Sequence, residues 1–158
     1  MEFIFGKELS SEVIDLIKNT DDSQFNFFTA HQTKDTVISA ANTKCSNGTL
    51  IVCYSHNCVG FLTDGRPGIV NLDSIRSSSA SIFNYISFLN ELKDYLTKNT
   101  KIHKIETEII NKDLKKLSKK TGFELEGTRK ESWLRPDGSY VDSFLFGYIL
   151  RRDTKCQL

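Results

Sequence analysis

Apolar positions along the chain fall into alternating short strands and helical stripes. The run EFIF at 2–5 predicts a first short strand. In SSEVIDLIKN, Val13, Ile14 and Ile17 share one helical face, with Ser10 or Ser11 as its N-cap. TDDSQFNFFTAHQ reads as a connector with an aromatic cluster at Phe25, Phe27 and Phe28. TKDTVISAANTK fits either a helix, on Val37, Ile38 and Ala41, or a strand, on its β-branched residues. GTLIVCY, CVGFLTD and IVNLDSI are then three short β-branched runs separated by SHN and GRPG, turns short enough to make the strands antiparallel. The following stretch, to Asn99, is the clearest helix: Ile82, Ile86, Leu89, Leu92 and Leu96 recur at helical spacing, and the N-cap lies among Ser77 to Ser81.

IHKIETEII predicts another strand, with Ile102, Ile105 and Ile109 set against Glu106 and Glu108. A short helix over NKDLKKLSKKTG buries Leu114 and Leu117, spreads its lysines over a solvated face and stops at Gly122. The chain closes on a long hairpin turned by Pro136, Asp137 and Gly138: Pro presets φ, Asp bonds the backbone beyond it, and Gly takes positive φ. Its flanks are long for strands, which predicts a bulge near Gly127.

Composition narrows the class. A length of 158 residues suits one domain over 1–158 with one core, and eleven Phe suggest that rings fill it. A formal net charge of +1 gives no reason to expect nucleic acid as a partner, although basic residues concentrate after Lys101. No apolar run reaches membrane-spanning length and the N-terminus carries no leader pattern, so the expectation is a cytoplasmic protein with no membrane partner. Cys53 and Cys58 bracket His56, but the spacing matches no common zinc site. With Cys45 and Cys156 they read as reduced thiols, and no metal is expected. His31, His56 and His103 are scattered, and spacing suggests no partner for any of them.

The order strand, helix, helix, three antiparallel strands, long helix, strand, short helix, long hairpin resembles the GNAT N-acetyltransferase superfamily. The likeness is residue-specific over about fifty positions of the last third, where Asn111, Leu117, Lys120, Gly122, Phe123, Glu126, Gly127, Asp137, Gly138, Tyr140 and Asp142 keep the register of the RimJ/RimL-like branch. The resemblance implies an α/β fold, the GNAT acyl-CoA N-acyltransferase fold: a mixed, mostly antiparallel sheet flanked by helices, whose central strands IVNLDSI and IHKIETEII run side by side and then splay. It implies acetyl-CoA as co-substrate, lying in that gap, and a small-molecule or peptide amine as acceptor: a protein N-terminus, an amino sugar or a small amine. A homodimer through exposed strand edges is an even prospect.

The resemblance also places the chemistry. The family seats the cofactor pyrophosphate on a glycine-containing loop before the long helix, where unpaired amides and a partial positive charge attract phosphate. Here that stretch is Ile75, Arg76, Ser77, Ser78, Ser79, Ala80 and Ser81, with Ser79 and Ser81 at the family's small-residue positions. It forms a cradle of amides aided by Arg76, or it is a helix cap only. Asp73 corresponds to the carboxylate that acts as base, with Glu106 and Glu108 as secondary candidates. Ser118 stands where the family often has a proton-donating Tyr, and Asn111 where an Asn contacts the cofactor arm. Trp133, Tyr140 and Phe144 wall the acceptor site or pair across strands, with Arg129, Glu131 and Asp142 near the cleft. The serines in place of glycines, and the missing Tyr, also suit a second function: a fold of this type that binds or scaffolds without turnover.

Overall fold

The computed structural model describes residues 1–20, 33–78, 81–110, 112–135 and 137–150. The aromatic cluster at Phe25, Phe27 and Phe28, and also His31, Ser79, Ala80, Asn111, the side chain of Leu114, Pro136 and Cys156, lie outside the described residues. Seven strands form one sheet in the order β1-β2-β3-β4-β5-β7-β6. They are β1 (Glu2–Ile4), β2 (Ile51–Ser55), β3 (Cys58–Asp64), β4 (Ile69–Ser77), β5 (Lys104–Ile109), β6 (Glu124–Leu134) and β7 (Tyr140–Ile149). The helices are α1 (Ser11–Lys18), α2 (Lys34–Ser46), α3 (Ile82–Asn99) and α4 (Lys112–Lys120). All neighbouring strands are antiparallel except β4 and β5. Among the described residues, no helix is long and apolar enough to cross a membrane.

The segment that fitted helix or strand equally is α2. Thr33 and Thr36 decide it: each side chain accepts from the other's backbone N–H, a reciprocal cap that a strand cannot use. Ser10 caps α1 by accepting from the Val13 amide, and Val13 and Ile17 are its buried residues. In α3 the buried stripe runs through Tyr85, Phe88, Leu89, Leu92 and Leu96, while Ile82 stays exposed. The apolar stripe expected from Ile82 and Ile86 is thus rotated toward the two rings, which bury more surface.

The pleat of the sheet separates two cores. On one face α3 packs Phe88, Leu89, Leu92 and Leu96 against Cys53, Leu62, Leu72, Ile105 and Phe146. On the other, α1 and α2 place Val13, Ile17, Ala41 and Cys45 over Val52, Val59 and Phe61. Rings contribute less than the Phe content suggested: Phe61, Phe88, Phe123 and Phe146 are buried, but Phe5 and Phe83 are exposed and aliphatic residues dominate. Cys45, Cys53 and Cys58 are buried free thiols, and burial pushes Cys53 up to about 12, so it packs as a small apolar group.

The terminal hairpin turns as its sequence predicts. Asp137 Oδ1 accepts from the Ser139 amide at 2.9 Å, and Gly138 has φ +83°. A bulge falls between Leu125 and Gly127, the position expected. A second irregularity, between Arg129 and Trp133, has no glycine to announce it: Glu131 takes the left-handed conformation itself at φ +45°.

Candidate functional site

β4 and β5 run in parallel for three pairs only: Ile69 with Lys104, Val70 with Ile105, and Asn71 with Glu106. Both strands continue, β4 to Ser77 and β5 to Ile109, but beyond Asn71 no ladder joins them among the described residues. Thr107 marks the point of parting: its hydroxyl donates to the Leu72 carbonyl at 2.8 Å, replacing the next backbone bond. Below the fork an ion-pair chain links the β3–β4 turn, β5 and β6. Glu106 Oε1 receives Arg66 Nη2 and Lys104 Nζ at 2.8 Å each, and Lys104 also reaches Glu126 Oε2 at 2.8 Å. The Lys104 ammonium holds the Glu106 carboxyl below the usual range, and this secondary candidate is engaged in ion pairs with Lys104 and Arg66.

Above the fork lies an open cleft. Leu72, Ile75, Leu89, Ile109, Leu117 and Phe123 give it an apolar lining from β4, α3, β5 and α4. The cause of the splay is local to β4. Leu72 pairs with Leu62 and Ser74 with Phe61, so Asp73 is an extra residue with no partner on β3. Such a bulge bends its strand and re-aims the side chain it carries. Asp73 therefore stands at the mouth of the fork and lines the cleft. Thr63 Oγ1 donates to its Oδ1 at 3.1 Å. Although one flank is exposed to solvent, the surrounding protein dominates and raises its carboxyl above the ordinary value, against the lowering pull of Thr63 and Lys44.

Glu108 lines the same cleft, but its carboxylate is committed. Oε1 accepts from Ser143 Oγ and from Trp133 Nε1, the latter at 3.1 Å, and Oε2 accepts from Arg129 Nη1 at 2.9 Å. Trp133 thus touches a residue of the cleft wall. Tyr140 does not: it is 61% exposed at the hairpin tip, opposite Leu134. Phe144 lies under the Lys115 ammonium, 3.7 Å from the ring centre. Asp142 is held in the second β6 irregularity by the Glu131 amide at 2.9 Å and by Lys130 at 3.2 Å.

At the cleft mouth the structure differs from a loop beginning at Arg76. Ile75, Arg76 and Ser77 are strand residues, paired with Gly60, Val59 and Cys58. The Arg76 side chain is wholly buried, and burial lowers its guanidinium to about 10, which still leaves it charged at neutral pH. The β2–β3 turn anchors the strand end: the Asn57 carbonyl accepts from Ser77 Oγ at 3.1 Å and from the Ser78 amide at 3.2 Å. His56 in that turn has a partner that spacing could not show, Glu91 on α3, at 3.0 Å. Ser81 is the N-cap of α3, and its side chain makes no capping bond. Ser118 is buried on α4 and lines the cleft.

Three contributors escaped sequence reasoning. Thr107 carried a signal, a hydroxyl interrupting the apolar side of β5 between Ile105 and Ile109. Thr63 carried none, since it meets Asp73 only through the bulged register. Tyr85 carried none, since it stands outside the Ile82, Ile86, Leu89, Leu92 and Leu96 spacing of its helix. It lines the cleft, with burial pushing its phenol up to about 12 so that it keeps its proton at neutral pH.

No protein-family profile matches the sequence, and no curated protein matches it. Solved structures do match the fold. A chimeric spermidine N-acetyltransferase from Vibrio cholerae superposes with a TM-score of 0.69 at 15% identity, covering 95% of this chain and 96% of its own. An N-acetyltransferase from Staphylococcus aureus gives 0.65 at 16% identity, covering 94% and 97%. A ribosomal-protein alanine acetyltransferase from Vibrio fischeri gives 0.66 at 15% identity, covering 95% and 94%. The chain therefore has the GNAT acetyltransferase fold, a mixed, mostly antiparallel seven-stranded sheet flanked by helices.

Proposed function

We propose that the protein is an acetyl-CoA-dependent N-acetyltransferase of the RimJ/RimL-like type, acting on a primary amine: a protein N-terminus, an amino sugar or a small amine. The observation that carries this reading is the fork itself, where β4 leaves β5 at a bulge whose extra residue is Asp73. The stretch of β4 beyond its ladder with β5 fits the amide-bearing pantetheine arm of the cofactor, which hydrogen-bonds as a neighbouring strand would. The apolar lining suits the acyl thioester.

Acetyl-CoA supplies an activated acyl group. The chain's own residues do the rest. Asp73 accepts the proton the amine loses as nitrogen bonds to the acyl carbon and the C–S bond breaks. Its raised carboxyl makes it a better proton acceptor than a surface Asp. Leu72, Ile109 and Leu117 exclude water that would hydrolyse the thioester. Ser118 supplies a hydroxyl beside the leaving sulfur, and amides at the start of α3, with Asn111, hold the cofactor's phosphates and arm. A second reading, binding without turnover, draws on the Ser78 amide, which is spent on the Asn57 carbonyl instead of on phosphate.

Turnover separates the two. The protein is incubated with acetyl-CoA and, separately, an alanyl peptide, glucosamine and putrescine. Thiol release is followed by a chromogenic thiol reagent and product by mass. The enzyme reading expects one amine to gain one acetyl group per thiol released. Absence of thiol release with all three, above the rate without protein, favours the binding reading.

A further inference from the structure

The second irregularity of β6 has a geometry that simple strand closure does not require. Arg129 pairs with Ser143 and Trp133 with Val141, so β7 spends one residue, Asp142, where β6 spends three, 130–132. The excess is a built feature. Glu131 adopts positive φ without being Gly, and the Asp142 carboxylate holds the excursion through the Glu131 amide and Lys130. The excursion keeps Arg129 and Trp133 on one face, and both reach across β7 to the same carboxylate, Glu108 on β5. Ser143, fully buried between them, donates to Glu108 Oε1 and shares a 2.8 Å hydrogen bond with Ser132 of the excursion. Glu108 is thus a point where β5, β7 and the β6 excursion meet at the cleft.

We propose that Glu108 is a positioning residue that sets the acceptor wall: it locks the Trp133 indole and the Arg129 guanidinium at the cleft edge, and these two side chains select the amine acceptor. A carboxylate holding three donors has little capacity left to accept a substrate proton. Asp73, which among the described residues accepts from Thr63, keeps that capacity. Arg129 is 60% exposed beyond its ion pair, and Trp133 is half-buried, so both present surface to an incoming molecule. Arg129 neutralises Glu108, so acceptor choice here rests on a flat indole and a guanidinium fork rather than on negative charge. This inference rests on the acetyltransferase reading.

Trp133 is the sole tryptophan, so its emission reports this contact without reference to activity. The test compares wild type with Glu108→Gln, which keeps shape and loses the charge that binds Arg129. Emission is recorded without ligand, and kcat and KM are measured for acetyl-CoA and for whichever of the alanyl peptide, glucosamine and putrescine is acetylated. The proposal expects a shifted Trp133 emission and a rise of about 10-fold in acceptor KM, the scale of one lost charge-assisted hydrogen bond. It expects an unchanged acetyl-CoA KM and an acid limb of the pH profile that remains. Arg129→Lys should recover part of the acceptor KM relative to Arg129→Ala. An unmoved emission overturns the proposal, as does loss of the acid limb in Glu108→Gln, which would make Glu108 the base. A wild type that acetylates none of the three amines sinks the acetyltransferase reading, and a moved emission would then leave Glu108 as support for the fold alone.

Discussion

If the proposed function holds, Asp73→Asn is expected to lower turnover by about 10²- to 10⁴-fold, the usual contribution of a positioned general base, and to leave acetyl-CoA affinity unchanged. The substitution keeps the side chain's shape and its bond from Thr63, so the β4 bulge survives. The pH dependence follows from the direction of the shift. A base works only when deprotonated, so wild-type turnover falls as pH drops through the raised Asp73 value, and the variant has no such limb. Stability moves the other way. A carboxyl raised on folding binds its proton more tightly in the folded state, so its contribution to stability falls as pH rises through the folded value. Asn escapes that penalty, and the variant melts no lower than wild type at neutral pH. Steady-state kinetics across pH with a thermal melt at neutral pH checks both signs; turnover within twofold of wild type removes Asp73 as base.

Phe88→Ala has the largest expected effect on the fold, about 3–5 kcal/mol, or a melting point lower by about 6–20 °C for a domain of this size. Phe88 is fully buried where α3 meets β3, and its ring lies where a side chain at Gly60 would project: a Cβ there would come within 2.6 Å of the ring. Gly60 and Phe88 are therefore one fitted pair, and truncating the ring leaves a void that neither partner can fill. The consequence reaches the site, since α3 also carries Tyr85 and Leu89 to the cleft. Loss of less than about 1 kcal/mol, on the scale of a surface change, would show that α3 is seated elsewhere.

Much of this architecture is legible in the sequence because local rules and tertiary packing agree. β2, β3 and β4 are short β-branched runs separated by turn residues, and each turn is found where those residues stand. The closing hairpin is legible down to its Asp137 bond and its first bulge. What escapes is decided at a distance. α2 buries only the small residues Ala41 and Cys45, so its apolar periodicity is faint and its cap alone identifies it. The family resemblance implies a loop starting at Arg76, yet the ladder to β3 and the Asn57 carbonyl extend β4 through Ser77. The β6 excursion is silent because Glu131 pays the cost of positive φ where glycine would have announced it. The site divides the same way. Asp73 is visible as a carboxylate at a strand end, but its place at the fork depends on a register shift that one strand's sequence cannot show. Glu106 and Glu108 look alike until their partners are seen.

On the proposed reading, β4 and β5 seat the pantetheine arm of coenzyme A where they part beyond Asn71 and Glu106. Amide hydrogen exchange with and without acetyl-CoA tests it most directly. Slowed exchange is expected, confined to 72–77 on β4, 107–110 on β5 and the first turn of α3, with β6 and β7 unchanged. Binding that leaves 72–77 unprotected, or that protects another face of the sheet, contradicts it.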